Sequence, residues 1–197
     1  MKRKKLYLVI IGPSGSGKGT QAKLLTDKFG LIHISMGDLL REQIQSKTEV
    51  GKRIAIFVNQ GRWVPDGLVF QIIQPFLKKG SRQGFIIDGF PRTISQAEIL
   101  EKFLAKEKIT LDAVLLLEIR PEVILARREK VIKEGRKFQE NRADDSPEIF
   151  KRRFKSYQKT INPILRFYEK RNLLIKVDGE RPIKDIFQDI LVRLKAL

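Results

Sequence analysis

Short apolar runs punctuate the chain at Leu6–Ile11, Phe85–Ile87, Val114–Ile119 and Leu173–Val177, with a weaker one at His33–Ser35. They are rich in β-branched residues and too short for helices, whereas the stretches between them carry helical periodicity. Strands apolar on both faces belong inside a parallel sheet, and alternation with helices supplies the crossovers that cover it. The predicted class is α/β. Near the C-terminus, Ile183, Ile186, Phe187, Ile190, Leu191 and Leu194 follow an i, i+3, i+4, i+7 template after Pro182, a residue suited to a helix start. A longer pattern through Phe150, Phe154, Tyr157, Ile161, Ile164, Leu165 and Tyr168 keeps the same period, with a kink predicted at Pro163. The run from Arg127 to Ser146 is highly charged with few apolar anchors, and it predicts a mobile surface excursion.

Length and composition narrow this picture. At 197 residues and 42% hydrophobic content the chain buries one substantial core, so a single domain covering 1–197 is expected. Forty Lys plus Arg against 23 Asp plus Glu leave a net charge of +17, which calls for polyanionic company: nucleotides, nucleic acid or an acidic membrane surface. With no Cys and His33 as the single histidine, a disulfide framework and a Cys/His zinc site are excluded. Lys2-Arg3-Lys4-Lys5 precedes an apolar run shorter than a signal core, and no stretch reaches membrane-spanning length. The expectation is a cytoplasmic protein without a membrane partner.

Directly after the first apolar run comes Ile11-Gly-Pro-Ser-Gly-Ser-Gly-Lys-Gly-Thr20, and helical spacing resumes at Ala22, Leu25 and Phe29. Successive backbone N–H groups converge on an anion only where side chains leave room, and glycine leaves it. Strand, Gly12-x-x-x-x-Gly17-Lys18 and helix thus make a phosphate cradle from Gly15, Ser16, Gly17, Lys18, Gly19 and Thr20, with Lys18 as a point charge. Gly19, then Thr20, follow Lys18, so the hydroxyl that ordinarily ligates Mg²⁺ is absent from its usual position and the metal must be held differently. Asp88, at the end of the run Phe85–Ile87, is the candidate to hold Mg²⁺ through water, with a turn or capping role as the alternative. In Asp88-Gly89-Phe90-Pro91-Arg92, Gly89 admits a ligand close to the backbone, Pro91 stiffens the turn and Arg92 offers a planar fork to a phosphate dianion. His33 is expected to pack at its strand.

Four segments, GPSGSGKGTQ, ISMGDLLR (34–41), GRWVPDGLV (61–69) and DGFPRTISQA (88–97), stand in the order and spacing of the adenylate kinase family of nucleoside monophosphate kinases. The chain resembles that family from Leu6 almost to its end. The resemblance implies a P-loop NTPase-type, five-stranded parallel sheet, a monophosphate-binding segment at about 35–64, a short lid at about 135–145, and the reaction ATP + AMP ⇌ 2 ADP. It implies Mg²⁺ with ATP, no zinc, a monomer, and no dedicated protein partner. Its catalytic groups would be Lys18, Arg92, Arg136, Arg142 and Arg153. Arg127, or alternatively Arg128, would cover the adenine of ATP, beside a loop in which Arg181 acts through its carbonyl. The AMP side would comprise Met36, Arg41, Arg62, Trp63, Val64, Gly89, Phe90, Pro91, Arg92 and Gln96, with Arg142 and Arg153 reaching across. Gln96 would read adenine, although Thr93-x-x-Gln96 also forms a helix-capping box. Met36 stands where the family usually has Thr, which leaves a UMP/CMP kinase open, and the +17 leaves open a nucleic-acid-associated ATPase.

Overall fold

Five parallel strands form one sheet in the order β2-β3-β1-β4-β5: β1 Tyr7–Ile11, β2 Ile32–Ser35, β3 Phe85–Asp88, β4 Ala113–Glu118 and β5 Leu174–Asp178. The computed structural model describes residues 5–133 and 147–196. Every strand lies within a residue or two of its apolar run. In the central strand β1, alternate side chains serve opposite faces, as the two-residue repeat requires. Val9 and Ile11 join Ile34, Phe85, Ile87, Val114 and Leu116 in one core cluster. Leu8 and Ile10 join Ile86, Leu115, Leu117 and Val177 in the other.

The first face is covered by α2 (Met36–Gln45), α3 (Glu49–Asn59), α4 (Asp66–Gly80), α5 (Ile94–Lys106) and α7 (Pro147–Glu169), through residues such as Leu39, Ile54, Ile73, Leu100 and Ile164. The second is covered by α1 (Lys18–Phe29) and α8 (Ile183–Lys195), through Ala22, Leu25, Ile186, Ile190 and Leu194. Pro182 is the N-cap of α8, one position ahead of its first turn, and Ile183 is left exposed at the cleft rim.

One expectation needs adjustment. The charged run begins inside a helix: α6 spans Pro121–Lys133, so Arg127 to Lys133 are ordered, with Ile124 buried as its anchor. Arg, Glu and Lys are good helix formers, so a charged sequence can continue a helix that Ile124 anchors. Positions 134–146 lie outside the described residues. At Pro163, α7 continues without a break to Glu169. The proline side chain faces solvent, so the carbonyl one turn back can find water instead of a backbone donor. Among the described residues, no helix is long and apolar enough to cross a membrane.

Candidate active site

The carboxyl ends of β1 and β3 open into a cleft of about 780 Å³ walled by α1, α2, the loop before α4, and α7. Strand order reverses here, which is where α/β sheets receive ligands. Its floor is the glycine-rich loop between β1 and α1. Gly17 caps α1 at φ 92, a left-handed conformation that side chains resist, and it contributes no side-chain cap. The first N–H groups of α1 are therefore left for an anion. At Gly15 a Cβ would stand 2.9 Å from Ile124 Cγ2, so the loop rests directly on α6. Ser16 is buried with its hydroxyl unpartnered. Lys18 reaches back across the loop, donating from Nζ to the Pro13 carbonyl at 2.8 Å, and Gly19 and Thr20 line the cleft beside it. Gln21, buried behind them, donates to the Ile183 carbonyl at 3.0 Å and ties α1 to the start of α8.

Asp88 ends β3, in register with Ile10 on one side and Ser35 on the other. Its side chain is 14% exposed and its Oδ2 is 3.8 Å from His33 Nε2. Burial pushes the carboxyl upward, but the pull of His33, Lys18 and Arg92 outweighs it and holds Asp88 below the usual carboxylate range. Asp88 is ionised at neutral pH. A Cβ on Gly19 would come within 3.5 Å of Oδ2, so the glycine after Lys18 keeps the space next to this carboxylate clear. His33, expected only to pack, is thus also a neighbour of the carboxylate.

The opposite wall is built around Arg92. Phe90 is buried, and Gly89, at φ 82, turns its carbonyl to accept from Arg92 Nε at 2.7 Å. The guanidinium lies 4.6 Å from the Trp63 ring centroid, so the indole serves as a platform for the arginine. Met36 and Val64 are buried alongside. Arg41 is paired with Asp38 one turn before it, and Arg62 is exposed, with Nη1 3.3 Å from Gln60 Oε1. Met36, Arg41, Arg62, Trp63, Val64, Gly89, Pro91, Arg92, Gln96 and Arg153 all line the one cleft.

Gln96 occupies the capping position and the cleft wall together. Thr93 Oγ1 accepts from the Gln96 N–H at 3.1 Å, while Gln96 Oε1 accepts from the Arg92 N–H at 2.7 Å and Nε2 donates to Asp66 Oδ1 at 2.7 Å. Asp66 Oδ2 accepts from Thr93 Oγ1 at 3.0 Å and closes the ring. Asp66 falls within the segment GRWVPDGLV, but its only local signal is an acid after Pro65 at a helix start, which assigns it no role. Thr93→Ala removes both the cap and the bond to Asp66, and it is expected to cost about 0.5–2 kcal/mol in denaturant unfolding.

Arg127 and Arg181 meet elsewhere, at the β5–α8 loop. Arg127 Nη2 donates to the Glu180 carbonyl at 3.0 Å, and Arg181 Nη1 stands 4.0 Å from Asp189 Oδ2. Neither is among the residues lining the cleft. The loop is pinned by Arg120, whose Nε and Nη2 grip Glu180 Oε1 and Oε2 at 2.8 and 2.7 Å. That grip lowers Glu180 from 4.5 to about 2. A depressed carboxylate contributes stability above its unfolded value, and the contribution is lost as pH falls toward the folded one. A carboxyl-carbon NMR titration should therefore find the Glu180 midpoint near 2, and Arg120→Ala should raise it only part of the way to the ordinary range, because the backbone N–H of residue 120 still donates to Glu180 Oε1 and Arg127 stays nearby. Arg136, Arg142 and the expected lid at 135–145 lie outside the described residues, and nothing is described of the Arg128 side chain.

Comparison with known proteins agrees with this arrangement. The family model described as Adenylate kinase matches residues 10–173. An adenylate kinase of Prochlorococcus marinus is 37% identical over 182 residues, covering 92% of this chain and 93% of the relative. One from Nitrobacter winogradskyi is 40% identical over 187 residues, covering 94% and 91%. One from a Cyanothece species is 40% identical over 193 residues, with 96% of each chain covered. With the glycine loop and the arginine wall facing each other across one cleft, and relatives matching over nearly their whole length, this chain belongs to the adenylate kinase family.

Proposed function

We propose that this protein transfers the terminal phosphoryl group of ATP to AMP, giving two ADP, by in-line displacement inside the cleft. The observation that carries the reading is the opposition of two anion seats, the loop around Lys18 and the wall around Arg92 and Arg41. The attacking group is an oxygen of the AMP phosphate, already largely ionised near neutral pH, so no general base is needed. A P–O bond to the acceptor forms as the bond to the departing ADP breaks. What remains for the protein is alignment, charge neutralisation and exclusion of water.

In this reading Lys18 and the loop amides of Gly15 to Thr20 hold the donor phosphates, and Arg41 and Arg92 hold the acceptor phosphate. Arg136, Arg142 and Arg153 clamp across both, while Arg127 and the Arg181 carbonyl flank the donor adenine. Gln96 reads the acceptor adenine with the amide hydrogen that Asp66 leaves over, and Met36, Arg62, Trp63, Val64, Gly89, Phe90 and Pro91 shape that pocket. Closure of segments 35–64 and 135–145 would expel water before transfer.

Mg²⁺ fits this donor set. Among the described residues no group of three or more metal-ligating side chains exists, and a single ionised carboxylate facing a phosphate cradle suits an ion that keeps its waters and takes substrate oxygens as ligands. Asp88 would hold it through water, and the ion would supply neutralisation of phosphate charge. The protein is further proposed to act as a cytoplasmic monomer with ATP and AMP as its partners, which sedimentation of the purified chain checks.

The deciding experiment offers ATP and Mg²⁺ with AMP, CMP, UMP or GMP and identifies the diphosphates formed. ADP from AMP, with the other acceptors turned over weakly, is the expected result. Preferential phosphorylation of UMP or CMP would move the protein to the pyrimidine branch. ATP hydrolysis stimulated by RNA with no acceptor phosphorylated would sink the proposal.

A further inference from the structure

A second groove of about 410 Å³ lies on the flank of the molecule, between the end of α3 and the outer face of α7. Its charged lining is of one sign: Arg62 from the loop after α3, and Arg152, Lys155 and Lys159 from α7, with Gln60 and Ser156 as neutral donors. No aspartate or glutamate lines it among the described residues. Salt bridges elsewhere on the surface do not reach Arg152, Lys155 or Lys159, and among the described residues none of the three side chains takes part in a hydrogen bond. Helix positions three and four apart are neighbours, so these cations crowd one another at a cost to the helix that an external anion would relieve. The floor is firm: Gly61, at φ 67, brings the loop so close that a Cβ there would meet the Arg152 Cβ and the Ile149 carbonyl at 3.2 Å.

We infer that this groove is a further anion seat, separate from the two of the reaction cleft, that takes a short linear oligophosphate. Arg152 to Lys159 extends over roughly 10 Å of helix at 1.5 Å per residue, too long for one phosphate to touch all its cations but well matched to a chain of several. No aromatic ring lines the groove, so it lacks the stacking platform by which single-stranded nucleic acid is usually held, and it engages phosphates alone. Arg62 lines both clefts, so an oligophosphate here would sit one side chain away from the acceptor pocket.

The test titrates inorganic tripolyphosphate calorimetrically into the full chain, with the reaction cleft already filled by AMP and a non-hydrolysable ATP analogue. One further binding event is expected at physiological ionic strength. The double variant Lys155→Glu/Lys159→Glu should weaken it about tenfold or more, since it replaces attraction by repulsion at two phosphate contacts. Both positions are exposed and outside the reaction cleft, so affinities for AMP and the analogue should stay unchanged and the thermal midpoint should not fall. The neutral pair Lys155→Gln/Lys159→Gln should fall between. Absence of the extra event in the unaltered chain would overturn the inference, as would equal binding in the charge-reversed variant. Tighter, competitive binding of a short single-stranded RNA with the same number of phosphates would also overturn it and give the groove to a nucleic-acid backbone. If AMP failed to bind, the reading of the reaction cleft would fall, and the difference between unaltered and charge-reversed chains would still decide the groove.

Discussion

Lys18→Ala is expected to lower kcat by about a thousandfold, at the upper end of what a single well-placed electrostatic donor supplies. Lys18 opens α1 immediately after the left-handed Gly17, so its backbone is fixed on both sides and its charge can only swing over the loop. In the ligand-free protein that swing ends on the Pro13 carbonyl. Removing the ammonium takes from the folded protein the bond to the Pro13 carbonyl and the attraction to the ionised Asp88, so a denaturant melt should show a loss of about 1.5–3 kcal/mol. Transfer is different, because charge moves between phosphates in a cleft from which water is excluded and the neutralising charge is worth far more. Lys18→Arg is expected to fail nearly as badly, since a planar guanidinium cannot replace a compact point charge inside a glycine loop. Initial rates at saturating ATP and AMP, beside the melt, check this. A loss smaller than about tenfold would show that the loop amides alone neutralise the donor.

How legible the molecule was in its sequence depended on how local each feature is. Strands β1, β3 and β4 are apolar on both faces, so their runs stand out, and the loop from Gly12 to Thr20 is contiguous and announces itself. β5 is an edge strand with Lys176 exposed in its middle, and it was visible only because Leu173–Val177 brackets that lysine with apolar residues. The ring of Thr93, Gln96 and Asp66 was half legible. The capping spacing is a three-residue signal, but Asp66 is 27 and 30 positions away from its partners, and nothing local couples them. The packing of Arg92 on Trp63 is of the same kind, a contact created by the fold. α6 was misread beyond Arg127 because a helix made largely of charged residues looks like a solvated loop when charge density is the only guide. Gln96 shows why single-residue roles are the hardest to read: one carboxamide lies on the cleft wall and closes a structural ring, and sequence spacing offered those roles as rivals.

The Arg92 wall yields the second large effect. Arg92→Ala should reduce kcat/KM for AMP by a few hundredfold or about 3 kcal/mol, with the KM for ATP changed much less, because in the proposed arrangement the guanidinium holds the acceptor phosphate. Arg92→Lys keeps the charge but loses the fork, the Nε bond to the Gly89 carbonyl and the stack on Trp63, so it should recover only part of the loss. Trp63→Leu separates position from charge. The arginine remains, its platform goes, and a cation–π contact of about 0.5–2 kcal/mol predicts a loss of roughly two- to thirtyfold, seen in KM for AMP more than in kcat. Holding the guanidinium beside Gly89 before substrate arrives leaves less to reorganise on binding, which is why removing a ring that carries no charge should weaken capture of a dianion. Equal losses for AMP and ATP in Arg92→Ala would show that the two seats do not act separately. An unchanged KM for AMP in Trp63→Leu would show that the Gly89 carbonyl alone fixes the arginine.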